Sequence, residues 1–183
     1  MKYRLHLMIK LEKFTKKDYN RLINWIDSEE IMVVFSGQIF DFPITKNQLD
    51  VYLNKPHRIV YKVIKTDSNK VIGHAELNNI NLRSSNARIC RVLIGDKKYR
   101  NKGLGGLIIN ELVRVGFSEL KLHRLDLGVY DFNIQAIKCY KKCGFKIEGL
   151  LKDNMKFGKI FWSSYNMSKL NTKRYHQKKD KYE

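Results

Sequence analysis

Arg100, Gly103, Gly105 and Gly106 stand together in Lys97-Lys-Tyr-Arg-Asn-Lys-Gly-Leu-Gly-Gly106, a basic, glycine-rich turn whose residue types suit the holding of phosphate. Glycines there let the backbone approach a ligand with no Cβ in the way. The stretch from Leu104 to Phe117 reads as a helix, which would aim its free N–H groups and the positive end of its dipole at the turn. Two familiar phosphate loops do not fit. A Walker loop needs G-x-x-x-x-G-K-S/T, and no Lys-Ser or Lys-Thr pair follows these glycines. A dinucleotide fingerprint needs G-x-G-x-x-G and an acidic residue about 20 residues on; Asp126 lies near that distance, but the glycines are spaced differently. What remains is R-x-x-G-x-G between an apolar strand, Arg88 to Ile94, and a helix. By itself this pattern also suits a strand-to-helix turn that binds nothing.

A second group of residues follows. Arg124 to Tyr130 alternates as a strand, and Asp131 to Phe145 reads as a helix ended by Gly144. Asn133, Ala136 and Tyr140 fall at i, i+3 and i+7, on one helix face, although Phe132, Ala136, Tyr140 and Cys143 would equally form a core-facing stripe. Taken in order, R-x-x-G-x-G and N-x-x-A-x-x-x-Y followed by Gly144-Phe145 resemble the two signatures of the GNAT superfamily of acetyl-coenzyme A-dependent N-acetyltransferases, over Lys70 to Lys169. The pattern is most similar to the branch that includes ribosomal-protein N-terminal acetyltransferases (RimJ/RimL-like).

That resemblance implies a reaction and a set of roles. A neutral primary amine, on a small molecule or a protein N-terminus, attacks the thioester of acetyl-coenzyme A through a tetrahedral intermediate and expels the thiolate. The segment Val92, Leu93 and Ile94 would meet the acetyl carbonyl and the pantetheine arm, through the backbone N–H groups of Val92 and Ile94. Arg100, Asn101, Lys102, Gly103, Leu104, Gly105 and Gly106 would hold the pyrophosphate. Asn133 and Ala136 would face the donor, and Tyr140 would protonate the departing sulfur, as a phenol can for a thiolate. Many family members carry a glutamate on the strand before the phosphate turn, yet Ala87 to Ile94 contains no carboxylate. Glu76, on a strand face with His74, is the substitute base expected here, or else a solvent-facing glutamate. Trp25, Glu29, Glu30 and Phe35, in a segment rich in aromatics and carboxylates, are the expected acceptor contacts, unless they serve the core and a helix N-terminus. No metal is expected: Cys90, Cys139 and Cys143 have no histidine nearby to complete a site and read as structural thiols.

These residues need a scaffold. Leu5 to Leu11 alternates as a first strand, Thr15-Lys-Lys-Asp18 is a capping box for a helix to about Ile26, and a short helix follows near Ser28 to Phe35. Thr45 caps another, Lys46 to Leu53. His57 to Lys65 and Lys70 to Leu77 form a hairpin through Thr66-Asp-Ser-Asn69, and Phe145 to Leu151 and Lys159 to Met167 close the order. The fold class is α+β in α/β/α layers: the GNAT fold, with a mixed sheet of about six to seven strands. With 183 residues, one domain over 1–170 is expected, and the basic stretch 171–183 reads as a disordered tail.

The formal net charge of +18 is spread over the whole length. A positive field favours capture of an anionic coenzyme, repels a free polyamine unless carboxylates line its pocket, and suits an acidic or phosphorylated amine or an acidic protein surface. It also allows a basic nucleic-acid or ribosome-binding protein, although no aromatic-rich RNA motif supports one. A third possibility is a GNAT fold that binds acetyl-coenzyme A without transferring the acetyl group. No apolar run is long enough to span a membrane and the N-terminus does not read as a signal peptide, so a cytoplasmic protein is expected, with a homodimer possible through an edge strand near the C-terminus.

Overall fold

The computed structural model describes residues 8–172. Residues 5–7 of the expected first strand and 173–183 of the expected tail therefore lie outside the described residues. Strand β1 (Ile9–Lys13) leads through a 3-10 turn to three helices, α1 (Tyr19–Trp25), α2 (Glu29–Ser36) and α3 (Lys46–Asn54). Strands β2 (Ile59–Lys65), β3 (Lys70–Asn81) and β4 (Asn86–Ile94) follow, then α4 (Leu104–Arg114), β5 (Arg124–Tyr130), α5 (Ile134–Lys142), β6 (Lys146–Phe157) and β7 (Ile160–Leu170).

The helix starts obey the expected capping chemistry. The Asp18 carboxylate accepts from Thr15 N–H at 3.0 Å, Ser28 Oγ from Ile31 N–H at 3.2 Å, and Thr45 Oγ1 from Gln48 N–H at 3.3 Å. Strands β3, β6 and β7 run further than their apolar patterns suggest. In β6 the polar stretch Lys152-Asp-Asn154 breaks the alternation, but the strand passes it through a bulge between Leu151 and Met155 and stays on β7.

Among the described residues, seven strands form one mixed sheet in the order β1-β2-β3-β4-β5-β7-β6, in which only β4 and β5 pair in parallel. Two apolar layers cover it. Ile108, Ile109 and Leu112 of α4 and Ile137 of α5 pack with Ile72, Leu77, Leu125 and Leu127. Leu22 of α1, Met32 and Phe35 of α2, and Leu49 and Tyr52 of α3 form a second core with Phe14, Val60 and Trp162. Burying each large apolar side chain contributes about 1.5–3 kcal/mol, so each helix layer is anchored mainly by its apolar face. This α/β/α arrangement with seven strands agrees with the fold class expected from the sequence. Among the described residues, no helix is long and apolar enough to cross a membrane.

Gly73 is required by the close approach of β3 and β4: a Cβ there would lie 2.3 Å from the carbonyl oxygen of Leu93. Because that neighbour is backbone, the strands must separate to admit it. Gly73→Ala is expected to cost about 1–3 kcal/mol, read as a lower urea midpoint at unchanged slope. An unchanged midpoint would show that the strand pair yields freely.

Candidate active site

Strands β4 and β5 pair only from Asn86 opposite Arg124 to Ile89 opposite Leu127. Beyond that point β4 stays on β3 while β5 stays on β7 as far as Tyr130, so the two parallel strands part. A bulge in β4 accompanies the parting. His74 and Glu76 of β3 face Leu93 and Cys90, so the single residue between them opposes Arg91 and Val92. Arg91 has φ 52, in the left-handed region that arginine seldom occupies.

The surroundings of Arg91 hold this conformation. Its guanidinium pairs with both oxygens of Glu76, through Nε to Oε2 and through Nη2 to Oε1 at 2.8 Å. Its carbonyl accepts from His74 Nδ1 at 2.8 Å; since a carbonyl can only accept, Nδ1 carries the proton. The Tyr52 hydroxyl also donates to Glu76, and Arg58 Nη1 stands 3.5 Å from Glu76 Oε1. The guanidinium carbons of Arg58 and Arg91 lie 4.9 and 5.4 Å from the centre of the Tyr52 ring.

This geometry removes Glu76 from the place expected of it. The residue is fully buried and does not line the cleft. Burial raises its proton affinity, but the hydrogen bonds and charge of Arg91, with Tyr52 and Arg58, outweigh burial and keep its pKa below the usual carboxylate range. A sealed carboxylate held in its charged form is a weak base; its contacts are those of a clamp on Arg91. His74 is also fully buried, between the rings of Phe14 and Phe35 at 5.1 and 5.3 Å. Burial pushes its pKa down to about 4, against the opposing effect of its bond to the Arg91 carbonyl, so the ring is neutral.

A cleft of about 600 Å³ occupies the gap between the parted strands. Cys90 to Leu93 and Leu127 to Tyr130 form its walls. Arg100, Asn133 and Tyr140 line it from the side of α4 and α5; Glu30, Ile31, Val34 and Phe35 of α2 line it from the other, beside Asn154 and Met155 of β6. Of the residues singled out in the sequence, Val92, Leu93, Arg100, Asn133, Tyr140, Glu30 and Phe35 meet in this lining. Ile94, Asn101, Lys102, Gly103, Leu104, Gly105, Gly106 and Ala136 do not line it; Leu104 and Ala136 pack into or against the core. Trp25 and Glu29 are not in the lining either. Trp25 lies flat against Gly95, where a Cβ would meet its ring at 1.8 Å, and Glu29 sits exposed in the first turn of α2.

The glycine turn leaves its backbone open at the start of α4. Gly103, with φ 74, is the N-cap of α4 and supplies no capping side chain. A Cβ on Gly103 would meet no atom within 4 Å, and one on Gly105 or Gly106 would meet only the sulfurs of Cys139 and Cys143, at 3.7–3.8 Å. Arg100 donates to the carbonyls of Ile94 at 2.9 Å and Gly95 at 3.3 Å, fastening the turn to the end of β4. Asn133 Oδ1 caps α5 by accepting from Ala136 N–H at 3.1 Å. Burial first, and the neighbouring cysteines next, push the Tyr140 hydroxyl above the usual phenol range. The buried Cys143 thiol donates to the Gly106 carbonyl at 3.6 Å, joining α5 to α4.

Sequence reasoning missed the Arg91 clamp, Tyr130 and the β6 residues Asn154 and Met155. For Arg91 a signal existed: a lone arginine inside the apolar run Ile89 to Ile94 must find a buried partner or leave the strand. For Asn154 and Met155 no local signal existed, because the β6 bulge brings them to the cleft.

A seven-stranded sheet split between two parallel strands, with a glycine turn opening a helix at the split, defines a coenzyme-binding transferase fold. Residues 11–145 match the acetyltransferase (GNAT) family, and the chain belongs to it. It is 32% identical over 72 residues to the probable N-acetyltransferase YjcK of Bacillus subtilis, covering 39% of each protein. It is 23% identical to the uncharacterized N-acetyltransferase YnaD of the same species over 85% of this chain and 89% of that one. Spermidine N-acetyltransferase from Vibrio cholerae, in complex with CoA and spermine, shares the fold with a TM-score of 0.79 at 23% identity, over 91% of this chain and 97% of that one. The first relatives are matched over 39% of their length or less, so what the comparisons show of this chain is membership of an acetyltransferase family, one that uses acetyl-coenzyme A. The resemblance to the ribosomal-protein branch finds no support among these relatives.

The neutral His74 makes stability depend on pH. Its pKa is about 4 when folded against 6.5 as a free side chain, so in that interval the unfolded chain binds the extra proton and stability falls with falling pH. The loss should reach about 3 kcal/mol near pH 4. Urea unfolding at pH 7, 6 and 5 should show the decline, and His74→Gln should flatten it; an equal slope in both proteins would place the proton elsewhere.

Proposed function

We propose that this protein transfers the acetyl group of acetyl-coenzyme A to a primary amine in the cleft between β4 and β5. The observation that carries this reading is the end of the β4–β5 ladder at Ile89 and Leu127, with the capless glycine turn on one side of the gap and α2 on the other. The chain from Arg100 to Gly106 holds the pyrophosphate against the first turn of α4, where backbone N–H groups and the helix dipole favour an anion. The backbone N–H groups of Val92 and Ile94 polarise the acetyl carbonyl and stabilise its oxyanion. Asn133 and Ala136, at the start of α5, flank the pantetheine arm.

Tyr140 serves the departing sulfur. No hydrogen bond of its hydroxyl is found among the described residues, and its raised pKa keeps the proton in place at every physiological pH. A phenol so placed meets the charge that develops on sulfur as the tetrahedral intermediate collapses. Glu76 is a positioning residue in this scheme, through Arg91. The proton of the acceptor ammonium leaves through water at the open mouth beside Glu30.

Calorimetric titration with acetyl-coenzyme A tests the donor half. Wild type should bind in the micromolar range, and Gly105→Glu should weaken binding at least tenfold by placing a like charge in the turn. The new Cβ would make only an ordinary contact with Cys139, so the variant should fold. Absence of binding by the wild type would refute the proposal. Tyr140→Phe should keep this affinity and lose about 10²-fold in kcat; full turnover would show that the sulfur needs no acid.

A further inference from the structure

On the reading above, the acceptor enters from the α2 side of the sheet. We infer that the protein is built for a primary amine carried on an apolar or aromatic body with one positive charge, not for a polyamine or an acidic amine. This rests on what lines that mouth. Ile31, Val34 and Phe35 of α2 face Tyr130 and Met155, and Val34 is 38% exposed although it is apolar. Tyr130 is itself braced, stacked on Phe132 at 5.4 Å and edge-on to Trp162 at 5.1 Å, so its ring is a firm wall. Met155 is a soft, adaptable surface, and its Cε would lie 3.5 Å from a Cβ on Gly37 at the end of α2. The β6 bulge thereby brings a flexible apolar side chain up to the helix.

The charges decide between classes of amine. Glu30 is the single carboxylate in the described lining. A polyamine carries several ammonium groups, each of which loses water on entering a cleft and needs a partner there. One carboxylate answers one ammonium, and the +18 background opposes the rest. An acidic amine fares no better. The lining arginines are already engaged: Arg88 with Asp126 and Asn166, Arg91 with Glu76, and Arg100 with the carbonyls of Ile94 and Gly95. The expectation of an acidic or phosphorylated acceptor, drawn from net charge alone, therefore has no free cation at the mouth to serve it. A lone carboxylate beside the apolar and aromatic wall of α2, Tyr130 and Met155, with Ser36, Asn154 and Ser164 as its uncharged polar neighbours in the lining, fits an arylalkyl or alkyl monoamine.

The test compares 2-phenylethylamine, spermidine and glutamate as acceptors for the full chain at saturating acetyl-coenzyme A, followed by thiol release. kcat/KM for 2-phenylethylamine should exceed that for either other amine at least tenfold. Glu30→Gln should lower it about tenfold, and Val34→Glu, which adds a second carboxylate at an exposed position, should move the preference toward spermidine. Equal or better use of spermidine or glutamate by the wild type would overturn the inference. So would binding of acetyl-coenzyme A without turnover of 2-phenylethylamine. Failure to bind acetyl-coenzyme A would instead remove the transfer reading on which the inference rests, which a calorimetric titration run beforehand distinguishes.

Discussion

Arg91 occupies a backbone conformation that an arginine avoids, and it does so in the middle of the sheet, two residues beyond Ile89, where β4 leaves β5. Such a residue costs about 1–3 kcal/mol and persists only where its neighbours over-determine it. Here they do so from both ends: the side chain is fixed by Glu76 and the carbonyl by His74, two residues of the adjacent strand. The Tyr52 hydroxyl of α3 then donates to Glu76, and the Arg58 guanidinium adds its charge with Nη1 at 3.5 Å. Breaking a buried pair by removing one partner typically costs 3–5 kcal/mol, because the other charge is left without compensation. The clamp therefore fixes the bulge, and the bulge fixes where the edge of β4 becomes free to meet a ligand.

The two helical layers divide the cleft's work because they sit on opposite faces of the sheet. One layer brings the glycine turn and the start of α5, where helix N-termini and small residues suit an anion and a long arm. The other brings α2, whose inward positions are apolar and whose exposed first turn carries Glu30. Between them the positive charges of the lining are held by carboxylates, an amide or carbonyls, so the basic character of the protein acts as a long-range field rather than as a local ligand. Such a field speeds capture of an anionic donor and leaves the choice of acceptor to short-range contacts.

Most of the fold was legible because its signals are local. The capping residues Thr15, Ser28 and Thr45, the turn before Lys70 and the alternation of β5 depend on neighbours a few residues apart. That Arg100, Asn133 and Tyr140 share one cleft was legible for the same reason, because each stands in a continuous local pattern, Arg100 to Gly106 and Asn133 to Tyr140. Even there, the sequence does not show that Arg100 ties down the ends of β4, because that role depends on where the strand stops. The acceptor side was less legible. Glu76 read as an available carboxylate, since nothing in Gly73-His-Ala-Glu76 reveals that Tyr52 of α3, Arg58 just before β2 and Arg91 of β4 converge on it. Trp25 read as an acceptor contact, whereas its ring covers Gly95.

The clamp also bears on how a proton leaves the acceptor. An amine must be neutral to attack, and the two titratable side chains of β3 that face the helices could in principle take its proton. Glu76 is held ionised by arginine and closed off from the cleft. His74 is neutral but sealed between two aromatic rings, and burial makes its imidazole a poor base. Both groups are consumed by holding β4 in shape, so neither is free to exchange protons with the substrate. On the proposed reading, the supply of neutral amine is then left to the acceptor's own ionisation and to water at the open mouth. Acceleration, on the same reading, comes from placing the donor carbonyl against the N–H groups of β4 and the Tyr140 hydroxyl, rather than from a tuned base. A strand with no carboxylate between Ala87 and Ile94 is, on that reading, compatible with transfer.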